Sequence, residues 1–372
     1  MYFAKNFVLL RESGDIVAIA VPFTAGVAAG AAAGFSGTHE AAAAAVTLAA
    51  CAGLLAGVAR HRGGRTMPAL LFFSLGLFCF LTHNLSGGVL GTGGVRPAGR
   101  LAANAVAALR GCISSIPFRH DSTAPLLLAL MTGDRRGLSV EQTAAFRDSG
   151  ASHILALSGL HLGIIYLILG KVLSVLGNSP PARRARCAVI LASSGFYTLM
   201  TGAGPSLVRA FLFITLNEIC RLSPEREHNP LRILLTALMI QLALDPDVIS
   251  SLGFQLSYLA MTGIFLIFPA LSGWFPADGH RFNPARKIWD STALTISCQV
   301  LTAPLVWLRF HTFPKFFIIT NLFALPLTSG IMTISVITVT LSSLGICPDL
   351  LISLTDTLVQ ALLSTLSIIS GL

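Results

Sequence analysis

Uninterrupted apolar runs separated by short polar segments recur from residue 15 to residue 371. A membrane-crossing helix needs about 20 apolar residues, range roughly 17–25. On that rule the chain predicts spans at 15–34, 39–59, 67–83, 152–176, 186–203, 205–221, 231–244, 252–271, 288–308, 327–345 and 349–370. The run 231–244 is short, which predicts a tilted or incomplete crossing. The stretch 313–326 is apolar but carries Asn321 and ends at Pro326, which predicts an interfacial or re-entrant helix ahead of the span at 327–345. The alternating ten-residue segments of a membrane β-barrel are absent. The fold class is therefore an all-α polytopic membrane protein of about 11 transmembrane helices plus interfacial or re-entrant helices. The first apolar stretch follows Lys5, Arg11, Glu12 and Asp15. It exceeds a signal-peptide core of about 7–15 residues and reads as an uncleaved helix.

Composition sharpens the class. Hydrophobic residues make up 54% and charged residues 11% of the chain, against about 25% charged in soluble domains. Seven cysteines, at 51, 79, 112, 187, 220, 298 and 347, are scattered singly and mostly within apolar runs, so they read as small buried hydrophobes rather than as disulfides or metal ligands. No H-E-x-x-H, H-x-H-x-D-H or G-x-x-x-x-G-K-[ST] pattern is written in the chain, which removes zincin, metallo-hydrolase and P-loop ATPase readings. No cofactor is expected, no enzymatic activity is read, and energy for transport would come from elsewhere.

The net charge of +9 rests on 21 arginines and 4 lysines. Arginine suits phosphate groups of lipid or nucleic acid, although basic loops are also the ordinary condition of membrane proteins. With the N-terminus cytoplasmic, fifteen Lys and Arg fall inside and nine outside, while Arg209 lies within a span. This bias fixes the orientation, and eleven spans leave the C-terminus outside. Seven of the nine outside charges crowd into residues 96–147, against Asp121, Asp134 and Glu141. That region contains the amphipathic segment 100–116, then 126–150, where Ser139 followed by Glu141 and Gln142 predicts a helix start and Gly150 its end. It reads either as interfacial helices anchored by snorkelling arginines or as a basic vestibule facing an anionic ligand.

Polar residues inside spans are functional candidates because they are costly there. His153 and His161 lie eight residues apart in ASHILALSGLHLGII (151–165), within about 80° on one helix, with Ser158, Gly159 and Gly163 thinning it. Such a patch either admits a close-packed helix or unwinds to expose backbone to a pathway. A histidine satisfied between helices is the plainer alternative. In TGAGPSLVRAF (201–211), Gly202, Gly204 and Pro205 break the chain, Pro205 sits where a helix can begin, and Arg209 follows one turn later. Arg209 either snorkels to an interface or meets a phosphate or an acidic side chain. Glu218 is too far along the helix to be its direct neighbour. Asp245 and Asp247 flank Pro246 as candidate helix caps, and Gln255 with Ser257 enters the next span. Gln299, Pro304, Asn321 and Pro326 suggest bent helices lining a cavity, or single packing hydrogen bonds. Ser158 and His161 have no orienting carboxylate in sequence, so a hydrolase triad is not read here.

The run ALMTGDRRGLSVEQTAAFRDSGASHILALSGLHLGIIY (129–166) resembles the signature of the ComEC competence-protein family, the inner-membrane DNA-uptake channels of naturally transformable bacteria. The likeness continues through GPSLVRAFLF (204–213), NPLRILLTALMIQLALDPDVISSLGFQLSYLAMTG (229–263) and APLVWLRFHTFPKFFIITNLFALPL (303–327), in the family's order. The resemblance implies a channel core over 124–372, preceded by a three-helix membrane segment (1–83) and a short basic connector (84–123). The connector is too short for the OB-like domain such proteins typically carry. No metallo-β-lactamase-like domain follows.

The expected function is translocation of single-stranded DNA across the bacterial cytoplasmic membrane. Expected partners are the strand, membrane lipids, a separate DNA receptor, a cytoplasmic motor and a separate nuclease, with a homo-oligomer as a further expectation. Alternatives are a secondary transporter of a small anion or lipid-linked substrate, and a non-conducting assembly subunit. The residues expected to line the pathway or touch DNA are Asp134, Arg135, Arg136, Arg147, His153, Ser158, Gly159, His161, Gly163, Pro205, Arg209, Asp245, Gln255 and Asn321.

Overall fold

The computed structural model describes residues 14–33, 38–59, 66–85, 96–222, 229–275, 283–311 and 316–371. Among them regular structure is helical, as the hydropathy pattern demands. Seven helical stretches are long and apolar enough to cross a membrane: 14–33, 66–85, 159–176, 252–272, 284–310, 317–343 and 349–370. The runs expected at 39–59 and 231–244 are helices with shorter apolar parts. Those expected at 186–203 and 205–221 are helices that carry charges: Arg183, Arg184 and Arg186 in the first, Arg209, Glu218 and Arg221 in the second.

The chain forms two compact units, residues 1–96 with 212–270, and 97–211 with 271–372. In the first, helices α1 (Gly14–Ala33), α2 (Thr38–Ala59) and α3 (Thr66–Leu85) pack with α3 between the others. Glycine sets how closely α1 and α3 approach. A Cβ on Gly26 would stand 2.0 Å from the Phe73 carbonyl oxygen, and one on Gly76 2.1 Å from that of Phe23. Small residues facing one another in this way let backbones touch where lipid supplies no hydrophobic drive.

The second unit begins with α4 (Arg96–Ser115), the amphipathic helix expected at 100–116. Next come α5 (Thr123–Thr132), α6 (Val140–Asp148), the short α7 (Ser152–Leu155), α8 (Gly159–Leu173) with a 3-10 turn over Ser174–Leu176, and α9 (Pro180–Met200). Helix α10 (Pro205–Leu222) leads into the first unit. There α11 (Pro230–Leu244), a 3-10 turn (Pro246–Ser250) and α12 (Leu252–Leu266) follow. The short α13 (Phe268–Ser272) leads back to α14 (Pro284–Phe310), α15 (Phe317–Ser343) and α16 (Asp349–Ser370). The core of this unit gathers Leu126, Leu130, Phe146, Ile154, Ile331, Met332, Val359 and Leu362, all essentially inaccessible.

Four expectations need correcting. The span placed at 152–176 starts at Gly159, because Ala156 and Ser158 are extended and Ser158 caps a new helix. His153 and His161 therefore do not share a helix. Of the stretch 313–326, residues 313–315 lie outside the described residues, and the rest is not a separate re-entrant helix. From Phe317 it runs unbroken through Pro326 into the following span as α15. Proline removes one donor from the ladder, and membrane helices tolerate this where neighbours re-satisfy the freed groups. Asp245 supplies no side-chain cap to the 3-10 turn that begins at Pro246. Around Gly163 a Cβ would meet nothing within 4 Å, so that glycine marks no close helix contact.

Candidate functional site

All expected site residues except Asp245 and Gln255 fall in the second unit. The sequence start and stop signals around α6 are realised. Ser139 and Gln142 form a reciprocal capping box, and Gly150 closes the segment in the left-handed region at φ 80. Ahead of it, the turn 133–138 is organised by Asp134. Arg136 meets it through Nε and Nη2, both at 2.9 Å, and Arg110 reaches the same carboxylate from α4. The hydrogen bonds from Arg136, with the charges of Arg136 and Arg110, hold the Asp134 carboxyl well below the usual carboxylate range. Arg135 donates from Nε to the Leu155 carbonyl at 3.2 Å, and Arg147 pairs with Asp148 at 2.8 Å. The basic region is thus exposed but internally paired. Exposed pairs of this kind are weak.

Deeper in the unit, two chain breaks shape the site. At 156–158 the backbone extends, and the Ser158 hydroxyl accepts from the Leu160 N–H at 3.3 Å while the Ser158 N–H donates to His161 Nδ1 at 3.1 Å. His161, fully buried, folds back to cap its own helix start. Because Nδ1 accepts, the neutral ring carries its proton on Nε2. His153 stays exposed, its Nδ1 3.2 Å from the Gly150 carbonyl oxygen. The second break is Thr201–Gly204, with Gly202 and Ala203 at φ 86 and 50, after which Pro205 opens α10 as expected.

The breaks meet through Arg209. Its side chain is buried, and its Nη2 lies 2.8 Å from where a Cβ on Gly159 would be, with the Ala210 Cβ at 3.3 Å. The first turn of α8 and the second turn of α10 are thereby brought together around a guanidinium. Helix N-termini carry partial positive charge, and the Arg209 guanidinium lies beside that of α8.

Buried polar atoms mark a second feature. Among the described residues of this unit, His161 Nε2, Ser194 Oγ, Asn321 Oδ1, Thr328 Oγ1 and Ser335 Oγ are buried and meet no hydrogen-bond partner. Each such group costs about 1–3 kcal/mol when dry.

Sequence reasoning passed over Asp356. It is 2% exposed on α16, accepts from the Thr123 hydroxyl at the start of α5, and meets His120 Nδ1. Gln360 Nε2 donates to Ser122 Oγ one turn away at 2.8 Å. A lone carboxylate within an apolar run was the available signal. The Tyr197 hydroxyl, which donates to the Met131 carbonyl at 2.9 Å, gave no comparable signal.

In the first unit, Gln255 Nε2 donates to the Ile249 carbonyl at 2.7 Å and so secures the 3-10 turn. Asp245 lies with His83 and Asp247, and the three offer ligand atoms within 4.8 Å of one another. Such a set could hold a divalent cation, although His83 Nε2 already meets Asp247 at 3.5 Å.

The family described as "Competence protein" matches residues 130–372 of this chain. The chain is 28% identical over 207 residues to ComE operon protein 3 of Bacillus subtilis, a match covering 55% of this chain and 25% of that protein. It is 25% identical over 252 residues to the uncharacterized protein YcaI of Escherichia coli, covering 66% of this chain and 32% of that one. The matches therefore span about a quarter to a third of the length of these relatives. No solved structure matches.

Proposed function

The chain belongs to the competence-protein family, and on that premise we propose that it conducts single-stranded DNA across the bacterial cytoplasmic membrane during natural transformation. The observation that carries this reading is the contact between Arg209 of α10 and Gly159 at the start of α8, two helices that each begin just after a chain break. Broken helices whose N-terminal ends face an anionic group are a recurrent way to build a midplane site. One buried guanidinium attracts phosphates in passing without the density of charge that would stall a strand, in keeping with conduction through weak contacts. The exposed arginines at 135, 136 and 147 lie on the outside in the orientation set by the Lys/Arg bias, with the N-terminus cytoplasmic and the C-terminus outside. They give the strand a first electrostatic contact. The residues named carry no catalytic role in this reading. The receptor, motor and nuclease are separate proteins, and the conducting species is this chain or its homo-oligomer in contact with membrane lipids.

A secondary transporter of a small anion or lipid-linked substrate is favoured by the same broken helices, and reconstitution separates the two. In vesicles holding the purified protein, an inward-driven fluorescent single strand becomes nuclease-protected, and Arg209→Ala abolishes this. Inorganic phosphate entry without strand entry would support the transporter instead.

A further inference from the structure

Helix α15 carries its hydroxyls in two different ways. Ser329 donates to the Leu325 carbonyl at 2.8 Å, Thr333 to Ser329 at 2.8 Å and Thr340 to Val336 at 2.7 Å. This is how a hydroxyl in an apolar helix ordinarily satisfies itself, by bonding back one turn. Asn321, Thr328 and Ser335 do otherwise. Their side-chain oxygens are buried, and among the described residues they meet no partner on their own helix or any other. They stand seven residues apart, which returns each to within about 20° of the last on a helix of 3.6 residues per turn. The three therefore form one line along the 27-residue length of α15, from near its start to its last third.

The neighbouring α8 continues the pattern. Helix α8 packs against both α15 and α9. On α8, His161 is wholly buried with Nε2 unpartnered, and its Nδ1 bond to the Ser158 N–H fixes Nε2 as a donor. A dry interface of small residues would let the α15 hydroxyls bond to backbone, as their neighbours do. Buried polar groups without a protein hydrogen-bond partner are instead what a lining that takes up water requires.

We propose that the Asn321–Thr328–Ser335 line of α15, with His161 on the neighbouring α8, is the uncharged lining of an aqueous path through the second unit, closed in this structure. Its ligand class is a hydrated polar solute that exchanges hydrogen bonds with hydroxyl, amide and imidazole groups. The α15 line offers donors and acceptors but no fixed charge, so it solvates a passing polyanion without trapping it. This deepens the proposed function and rests on it for the identity of the solute, but not for the presence of water.

Cysteine accessibility tests the two claims separately. Thr328→Cys and Ser335→Cys are placed one at a time in the full chain in membrane vesicles. Each is exposed to a membrane-impermeant trimethylammonium-ethyl methanethiosulfonate, with the parent protein giving the native-cysteine background. Ile337→Cys, at a position exposed on the same helix, is the lipid-facing control. A thiol reacts as thiolate, which needs water. The expected result is labelling at 328 and 335 at least tenfold faster than at 337, slowed by added single-stranded DNA. Labelling at 328 and 335 no faster than at 337, while all three react after unfolding in detergent, overturns the lining. Fast labelling that single-stranded DNA leaves unchanged keeps the aqueous lining and removes DNA as its solute.

Discussion

Arg209 and Gly159 are in direct contact: the guanidinium Nη2 stands 2.8 Å from the position a Cβ on Gly159 would occupy. The glycine is therefore the clearance that lets the arginine lie across the first turn of α8. Because the crowded atom is the far end of a flexible side chain, a substitution displaces the guanidinium before it displaces backbone. The site can then fail while the fold persists.

That distinction sets the first prediction. Gly159→Leu should cut DNA uptake at least tenfold while protein abundance in membranes stays near normal. Overpacking that propagated into the helix pair would cost about 1–3 kcal/mol and would lower abundance and uptake together. Immunoblotting beside transformation frequency distinguishes the outcomes.

Arg209→Lys keeps the charge and loses the planar fork. If Arg209 attracts phosphates as a point charge, Lys should retain much of the uptake and Ala should not. A Lys variant as defective as Ala would assign Arg209 to a bidentate partner within the protein.

The exposed arginines of the 96–147 region carry a salt signature. Single-strand affinity falls with salt at a slope of about −0.7 per neutralised phosphate. Joint replacement of Arg135, Arg136 and Arg147 by Gln should flatten the slope of purified protein by about two units if each meets one phosphate. Fluorescence anisotropy across salt concentrations reads this directly. An unchanged slope would leave these arginines as membrane anchors and as partners of Asp134, Asp148 and the Leu155 carbonyl.

The Asp134 carboxyl, held below its ordinary range by Arg136 and Arg110, has a stability consequence of defined sign. A depressed folded pKa stabilises above the unfolded value, about 3.9, and that contribution is lost as pH falls toward the folded one. Thermal unfolding should therefore show wild type above Asp134→Asn at pH 7, with the gap closing between about pH 5 and pH 2. A gap that widens on acidification would contradict the pairing.

Much of the fold was legible because its causes are local. Apolar runs of sufficient length dictated helices, the Ser139 and Gln142 box and Gly150 fixed the ends of the segment around α6, and Pro205 opened α10. What escaped was set by competition between local and tertiary terms. Pro326 read as a terminus, yet α15 continues through it. His161 read as one of two histidines on a single helix, but its Nδ1 is spent on capping at Ser158. The partners of Arg135 and Arg136 were invisible because the Leu155 carbonyl and Asp134 are brought to them by turns whose geometry no periodicity reports. Asp356 was legible in principle and required only that a carboxylate in an apolar run be taken as a question.

The measurement that bears most directly on the central claim is deletion of this chain in its own host, in a background with no second copy, followed by counting transformants and imaging fluorescent DNA in the cytoplasm. The account predicts that DNA still binds at the cell surface while its entry into the cytoplasm and the yield of transformants fall to background, both restored by the intact chain but not by Arg209→Ala. Unchanged cytoplasmic entry in the deletion strain would contradict it.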